Sequence, residues 1–432
     1  MKKIIYRIFL KKNIEKINNL KVKVGDEVFK GSVIGACDNE EISADIHSSV
    51  HGRIVSVTED YLDIEKLFDE TEKYIEITGN SNLELIKNAG IVGMGGAGFP
   101  THIKLSKFLD KDGILIINGA ECEPILSHNI KRIEEDCDRI LKGAIYAAQV
   151  IKASKIVVAV KEKHKKAIEI LKDSIGNRNI ELHLLKDLYP MGEERAVIRE
   201  VTGNLLLPND LPYKADTAVI NVETALRIQE AIDYRKPVIT KDLTIAGEIN
   251  NEKRIHVLKD VPIGMKVEDI LNNLNGIKKE YGEIILGGPF TGKRGNINSY
   301  ITKTTGGIIV TSPFFNDKRK AGLLVCACGA GKERLQEIAN SMDAEVVAHE
   351  YCKQAIKVKG TYKCENPGKC PGQAQKVLNL KKQGAEILII SNCSDCTNTV
   401  MAIAPKLKLP VYHCTDGALR AVGMRLIRKL KV

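Results

Sequence analysis

Four glycines fall within six residues at Gly93-Met-Gly95-Gly96-Ala-Gly98, and this cluster restricts the local fold severely. Each glycine in a helix interior costs about 1 kcal/mol relative to alanine, so the segment is a loop. Such a glycine density suits a loop whose backbone N–H groups must approach a phosphate or a flat ring closely. A mobile surface loop is the alternative, and the flanking sequence decides between them.

From about residue 82 the texture is α/β. The run GILIINGA reads as a buried strand, Glu134 to Lys152 as a helix, KIVVAV as a strand and Glu162 to Asp173 as a helix. Strands alternating with helices imply a largely parallel sheet, which binds ligands at the carboxyl ends of its strands. Gly119-Ala120-Glu121-Cys122-Glu123-Pro124 follows such a strand. Further on come Tyr189-Pro-Met-Gly192-Glu193-Glu194 and Asn221-Val-Glu223-Thr224. Singly each is ordinary; in this order they are specific.

The chain has 432 residues, too many for one ordinary core. The predicted organisation is an α/β multidomain protein with boundaries at 1–78, 79–238, 239–320 and 321–432. Residues 20–58 read as short strands and turns that resemble a barrel-sandwich hybrid of the biotinyl/lipoyl type. Carrier versions hold a lysine on the hairpin between their halves, whereas Cys37 to Asp45 contains none. A docking or structural module is therefore expected. Residues 242–290 return to short strands around a helix at VEDILNNL, a small unit read as a structural spacer.

Net charge is +10, with Lys and Arg spread along the chain, which favours acidic partners, anionic cofactors or an anionic membrane face without selecting one. Trp is absent and aromatics are 5%, against the base-stacking platforms of single-strand nucleic-acid binders. The apolar runs fall short of the ~20 residues that cross a bilayer. Arg7, Lys11 and Lys12 interrupt the basic N-terminal run and no small-residue cleavage site follows, so a signal peptide is rejected and a cytoplasmic location expected.

Eleven cysteines are present, of which Cys37, Cys122 and Cys137 are scattered and eight lie between Cys326 and Cys414. Clustered cysteines in a cytosolic chain read as metal ligands or redox thiols. Cys393-Ser-Asp-Cys396 stands between a strand, EILIISN, and a helix, TNTVMAIAPKL, where the helix dipole favours a thiolate. Cys326 and Cys328 end another strand, where alternate residues share a face. His413-Cys414 ends a third, PVYHC, with His413 also readable as a satisfied buried histidine. In a parallel sheet these ends can meet at one edge and form one redox centre. It is either a dithiol relay or an iron–sulfur cluster with ligands among Cys352, Cys364, Cys370 and Cys414. Half-buried small hydrophobes are the bland alternative.

Taken in sequence, G-x-G-G-A-G-F-P-T-x-x-K, N-x-x-E-x-E-P, Y-x-x-G-E-E and N-V-E-T resemble the NADH-binding flavoprotein subunit of respiratory complex I. Residues 1 to about 310 look more like its relative RnfC, which also has the barrel-sandwich start, the segment Gly287 to Gly292 and the strand Thr302 to Thr305. The resemblance implies a Rossmann-like FMN- and NADH-binding domain followed by a β-grasp unit of the SLBB type. It implies that Gly93, Gly95, Gly96 and Gly98 face the flavin phosphate and nucleotide, with Lys104 as a cationic partner. Asn118, Glu121 and Glu123 would line flavin and nicotinamide. Gly192, Glu193 and Glu194 would close the cavity, and Asn221 and Thr224 would hold the phosphate side. Ala120 replaces an Asp of the complex I pattern.

RnfC proteins usually continue into a ferredoxin segment, whose C-x-x-C-x-x-C spacing is missing here. An RnfC-like body with a different cysteine-rich tail is similar to the electron-transfer proteins associated with proline reductase in amino-acid-fermenting anaerobes. That resemblance implies a soluble electron donor passing NADH electrons through FMN and C-terminal thiols to a selenoenzyme reductase. A peripheral subunit of an Rnf-type ion-translocating membrane complex and a flavin-free docking scaffold are the other readings.

Overall fold

The short N-terminal strands alternate inward and outward side chains, as the burial of Tyr6 and Ile8 between half-exposed neighbours in Ile5–Phe9 shows. In the computed structural model, which describes residues 3–12, 15–16, 19–37, 42–68 and 72–428, they build two small antiparallel sheets and a two-stranded ribbon, Lys11–Lys12 with Glu15–Lys16. One orders Ile5–Phe9, Tyr61–Lys66, Gly52–Val57 and Glu27–Val28; the other orders Asn19–Leu20, Val33–Ala36 and Ile46–His47. Ile34, Ile54, Leu62 and Ile64 fill the space between them. Residues 38–41 of the hairpin that would carry a modified lysine lie outside the described residues.

Next comes a four-stranded sheet ordered Ile180–Leu185, Lys155–Lys161, Ile114–Gly119, Thr217–Asn221, parallel throughout. The long helix begins at His128 rather than Glu134 and runs to Ile151. Its first turn, His128 and Asn129, is polar yet buried against the neighbouring sheet, so hydrophobic periodicity does not reveal it. A five-stranded mixed sheet follows, ordered Ile255–Pro262, Thr240–Gly247, Gly307–Val310, Ile284–Leu286, Lys293–Gly295.

The last sheet is again parallel, in the order Glu345–Tyr351, Lys320–Val325, Ile387–Ile390, Val411–His413. Helices Lys332–Ser341, Ala374–Lys382 and Ser394–Ile403 connect its strands, with a hairpin, Ala355–Val358 and Thr361–Cys364, inserted on the way. Among the described residues no helix is long and apolar enough to cross a membrane.

A buried charge network joins the helices of the four-stranded parallel sheet to the five-stranded mixed sheet. Arg132 on the long helix pairs with Asp242 (2.5 Å) and Asp260 (2.6 Å). Arg227, on helix Val222–Asp233, pairs with Glu230 and Asp260 at 2.8 Å and with Glu223 and Asp242 at 3.2 Å. Lys241 closes the network on Glu223. Buried charges persist only when paired and hydrogen-bonded, and here they are.

Candidate functional site

The glycine-rich loop is a closed excursion. Val92 and Pro100 bridge its base, the Gly93 N–H donates to the Phe99 carbonyl (2.9 Å), and the Gly98 N–H donates to the Gly93 carbonyl (3.1 Å). Gly96 has φ +120°, a conformation L side chains rarely adopt, and a side chain there would project into open space. Thr224, in the first turn of helix Val222–Asp233, holds the loop by accepting from the Met94 N–H (3.0 Å). Asn221 caps the same helix by accepting from the Glu223 N–H (2.9 Å), and its side chain stands against Gly95.

Beyond the loop lies a cleft of about 1390 Å³, counting its open mouth. Of the residues singled out in the sequence, Gly95, Gly96, Asn118, Glu121, Glu123, Gly192 and Asn221 line it, and Gly93, Gly98, Lys104, Glu193, Glu194 and Thr224 do not. Lys104 donates to Glu194 and to the Val219 carbonyl, both at 2.9 Å. Glu193 caps helix Glu194–Thr202 through the Ala196 N–H (2.9 Å). Asn118, next to the carboxyl end of strand Ile114–Gly119, donates to the Gly192 carbonyl (2.9 Å) and so fixes the opposite rim.

Glu121 sits in left-handed backbone, φ +37°, just past the strand end, where strain of this kind marks many binding loops. Its carboxylate accepts from the Asn129 N–H (3.1 Å) and lies 3.9 Å from His128. Burial lowers the His128 imidazole to about 4, so it is neutral at pH 7. Glu123 accepts from the Phe290 N–H (2.8 Å), the Thr291 N–H (2.9 Å) and the Thr291 hydroxyl (2.5 Å). Burial raises its pKa, and those bonds pull it part of the way back. Glu123 thus staples the five-stranded unit to the cleft.

That unit is more than the spacer expected of it. Gly287, Gly288, Thr291, Gly292 and Lys293 form one wall of the cleft, and Thr304 to Gly306 extend it. Sequence reading missed this because the wall consists of backbone and small side chains, which carry no chemical signature. The repeated glycines of Gly287-Gly288 and Gly292 were the available signal.

The second cluster is made of sulfur. Cys326, Cys352, Cys393 and Cys414 each follow the carboxyl end of one strand of the C-terminal parallel sheet. The thiols form a connected set: Cys364 with Cys328, Cys328 with Cys326, Cys326 with Cys352 and Cys393, and Cys396 with Cys352, Cys370 and Cys393. Hydrogen bonds from Cys326 and Cys396 lower the Cys393 thiol to about 5, and one from Cys396 lowers Cys370 to about 6. Cys396, which neighbours Cys352, Cys370 and Cys393, is pushed far up. Cys414 packs in the same apolar cluster and contacts His413 Nδ1 at 3.8 Å. His413 itself is satisfied, its ring nitrogens bonded to the Asn392 carbonyl (2.8 Å) and the Thr415 hydroxyl (2.9 Å).

Thiols of this number are the donor type of an iron–sulfur cluster as well as of a dithiol couple. Among the described residues, no group of three or more His, Cys, Asp or Glu side chains is arranged to hold a metal ion.

Aromatic side chains join the two clusters. Tyr189 stacks on Phe290 with ring centroids 3.6 Å apart and planes 3° from parallel, and Phe290 meets His413 edge-on at 5.2 Å. The Tyr189 hydroxyl donates to the Cys328 carbonyl, and its N–H to the Ser394 hydroxyl (3.0 Å). Cys122 lines the cleft and also packs against the apolar cluster that contains Cys326, Cys393 and Cys396.

A glycine-cradled cleft at the carboxyl ends of a parallel sheet defines a nucleotide- or flavin-binding α/β protein, and two family models sharpen that class. Residues 86–230 match the Nuo51 FMN-binding domain, and residues 2–71 match the RnfC barrel sandwich hybrid domain. The local chemistry fits FMN: the space above Gly96 is open, Gly95 leaves room for the Asn221 side chain, and the buried Asn129 Oδ1 on the cleft wall has no partner within the protein.

The chain is 32% identical over 328 residues to the C component of the proton-translocating ferredoxin:NAD(+) oxidoreductase complex of Clostridium ljungdahlii, covering 71% of this chain and 70% of that one. It is 31% identical over 313 residues to the Na(+)-translocating counterpart of Acetobacterium woodii, covering 67% and 69%. The chain belongs to this RnfC family of oxidoreductase components. It is also 36% identical over 228 residues to the cobalamin reductase PduS of Salmonella typhimurium, where the match spans 52% of this chain and only 49% of the relative.

Proposed function

We propose that this protein oxidises NADH through FMN held in the cleft and delivers the electrons through its C-terminal cysteines to a partner reductase of the proline reductase type. The observation that carries the reading is the double membership of Cys122, which lines the cleft and packs on the thiol cluster. Bound in the cleft, FMN supplies the ability to take two electrons as hydride and release them one at a time.

The protein's own part is binding and orientation. The N–H groups of Gly93, Met94 and Gly98 close and anchor the loop, which leaves those of Gly95, Gly96 and Ala97 for phosphate, and Thr224 and Asn221 fix the loop. Asn118 and Glu121 present an amide and a carboxylate to the flavin and nicotinamide. The Lys104–Glu194 pair and the Glu193 cap hold the rim at Gly192 from behind. Cys326, Cys328, Cys393 and Cys396 carry electrons away, with the β-grasp unit closing the cleft.

The test separates the halves of the reaction. The purified protein is expected to show flavin absorption and to reduce an artificial acceptor with NADH. Replacing Cys393 and Cys396 with Ser should abolish NADH-driven reduction of the partner while leaving that diaphorase activity intact. Equal loss of both, or absence of flavin after reconstitution, refutes the reading. The similarity to components of ferredoxin:NAD(+) oxidoreductase complexes favours a second reading, a peripheral member of an ion-translocating assembly. Recovery of the protein with membranes in a stable assembly would select it.

A further inference from the structure

Cys393-Ser-Asp-Cys396 is the cysteine pair that stands out in the sequence, but it is sealed: both residues are only 3% exposed. Electrons that leave by thiol exchange need a sulfur that another protein can reach. Cys370 provides one. It is half-buried on the loop between the hairpin Thr361–Cys364 and helix Ala374–Lys382, flanked by exposed Lys369 and Pro371.

We propose that Cys370 and Cys396 form the outlet dithiol of this protein, with Cys370 the exchange thiol that attacks a disulfide on the partner and Cys396 the resolving thiol beneath it. The proposal rests on the proposed function for the source of electrons alone.

The loop is built around the Cys370 sulfur. Gly372, at φ +88°, turns its N–H onto that sulfur at 3.3 Å, and the Thr399 hydroxyl lies at 3.3 Å on the other side. The Cys370 N–H is tied to Asp395 Oδ2 (2.6 Å), which fixes the loop to the first turn of helix Ser394–Ile403. Beneath it, Gln373 Nε2 reaches three sulfurs at once: Cys352 at 3.1 Å, Cys396 at 3.4 Å and Cys370 at 3.7 Å. Gln373 is fully buried and its Oε1 has no partner within the protein, so its amide is committed to this group of sulfurs. A buried amide spent on sulfur stabilises negative charge there. Gln373 Nε2 thus brings the Cys370 and Cys396 sulfurs to one buried donor, and the Cys370 thiol is lowered while that of Cys396 is raised, the division of labour an exchange pair needs.

The electron balance closes. The Cys370 thiolate attacks one sulfur of the partner's disulfide; that S–S bond breaks, a mixed disulfide forms, and the other partner sulfur leaves as a thiolate. Cys396 gives up its proton and attacks Cys370, releasing the partner's second sulfur and forming the Cys370–Cys396 disulfide. The partner has gained two electrons and the one proton that Cys396 gave up, and its second sulfur takes its proton from solvent. Two electrons and one proton, the yield of NADH oxidation, reopen the disulfide to the Cys370 thiolate and the Cys396 thiol.

The test needs neither NADH nor flavin, so it can fail without the proposed function failing. The reduced full-length protein is mixed anaerobically with Ellman's reagent, and the thionitrobenzoate released in the fast phase is counted. Cys370→Ser should remove two equivalents from that phase, one from attack and one from resolution. Cys396→Ser should remove one and leave a stable mixed disulfide that peptide mapping places on Cys370. In the unmutated protein, limiting iodoacetamide at pH 7 should label Cys370 before any other C-terminal cysteine, which keeps the proposal testable if a variant misfolds. First labelling at Cys393, a second equivalent still released by Cys396→Ser, or copurifying iron and acid-labile sulfide that shield Cys370 would overturn it.

Discussion

The carboxylate of Asp242 is fully buried and accepts from Arg132 Nε and Nη2, from Arg227 Nη2 and from the Asp260 N–H. Two guanidiniums hold it far below the usual carboxylate range, against a burial penalty that pushes the other way. Asp242→Asn removes the charge and leaves both arginines underpaired where solvent cannot compensate. The expected cost is about 3–5 kcal/mol, read as a lowered urea midpoint with an unchanged slope. Gly288 is decisive in a different way, since a Cβ there would sit 2.3 Å from the Glu123 carboxyl carbon. Gly288→Ala should break the staple between Glu123 and the Phe290–Thr291 backbone and reduce the flavin retained through purification, measured by visible absorption per chain. Of these residues, Asn118 and Glu121 were legible in the sequence because the carboxyl end of a parallel strand is where ligands bind. The Arg132–Asp242 pair and the stapling role of Glu123 were not, because these partners lie more than a hundred residues apart and only the folded chain brings them together.

At the scale of elements, the inner strands of both parallel sheets could be read from their continuous apolar runs, since strands covered on both faces need no polar alternation, whereas the half-exposed edge strands Ile180–Leu185 and Glu345–Tyr351 could not. Helix boundaries were less legible, as the buried polar start at His128 shows. The hairpin Ala355–Val358 and Thr361–Cys364 escaped notice because its strands are largely exposed and give no apolar period. Its position depends on helix Glu194–Thr202, whose Arg195 donates to the Cys364 carbonyl (2.7 Å) and whose Arg199 donates to Asn366 (2.5 Å) and the Pro367 carbonyl (2.7 Å). The helix that borders the cleft rim therefore also holds the loop that carries Cys370. Arg199→Ala should free this loop without disturbing the sheets. Hydrogen exchange is expected to quicken over residues 365–373 and stay unchanged over Ile114–Gly119; equal acceleration of both would mean the helix supports the whole domain instead.

Across the whole molecule, three separate packing layers each bury a histidine. His47 lies in the N-terminal sandwich, His128 against the cleft wall and His413 in the C-terminal sheet, all at 3% exposure or less. Desolvation lowers them to about 3, about 4 and about 4 respectively, with Lys303 adding to the effect at His47. An unfolded chain protonates these rings near 6.5. Between that value and about 4 the unfolded state therefore binds more protons than the folded one. Stability must fall as pH drops through this window, by up to about 1.4 kcal/mol per pH unit for each ring. Above pH 7 all three are neutral in both states and contribute no slope. Because the charge network around Asp242 and the Tyr189–Phe290 stack tie the layers together, the loss should be shared: one calorimetric transition, with Tm falling steadily from pH 7 to pH 5. A flat Tm over that range would mean the rings are protonated in the folded protein. A separate low-temperature transition confined to acid pH would mean one layer unfolds alone, and the melting of a variant lacking Phe290 would show whether the aromatic stack is the joint that fails.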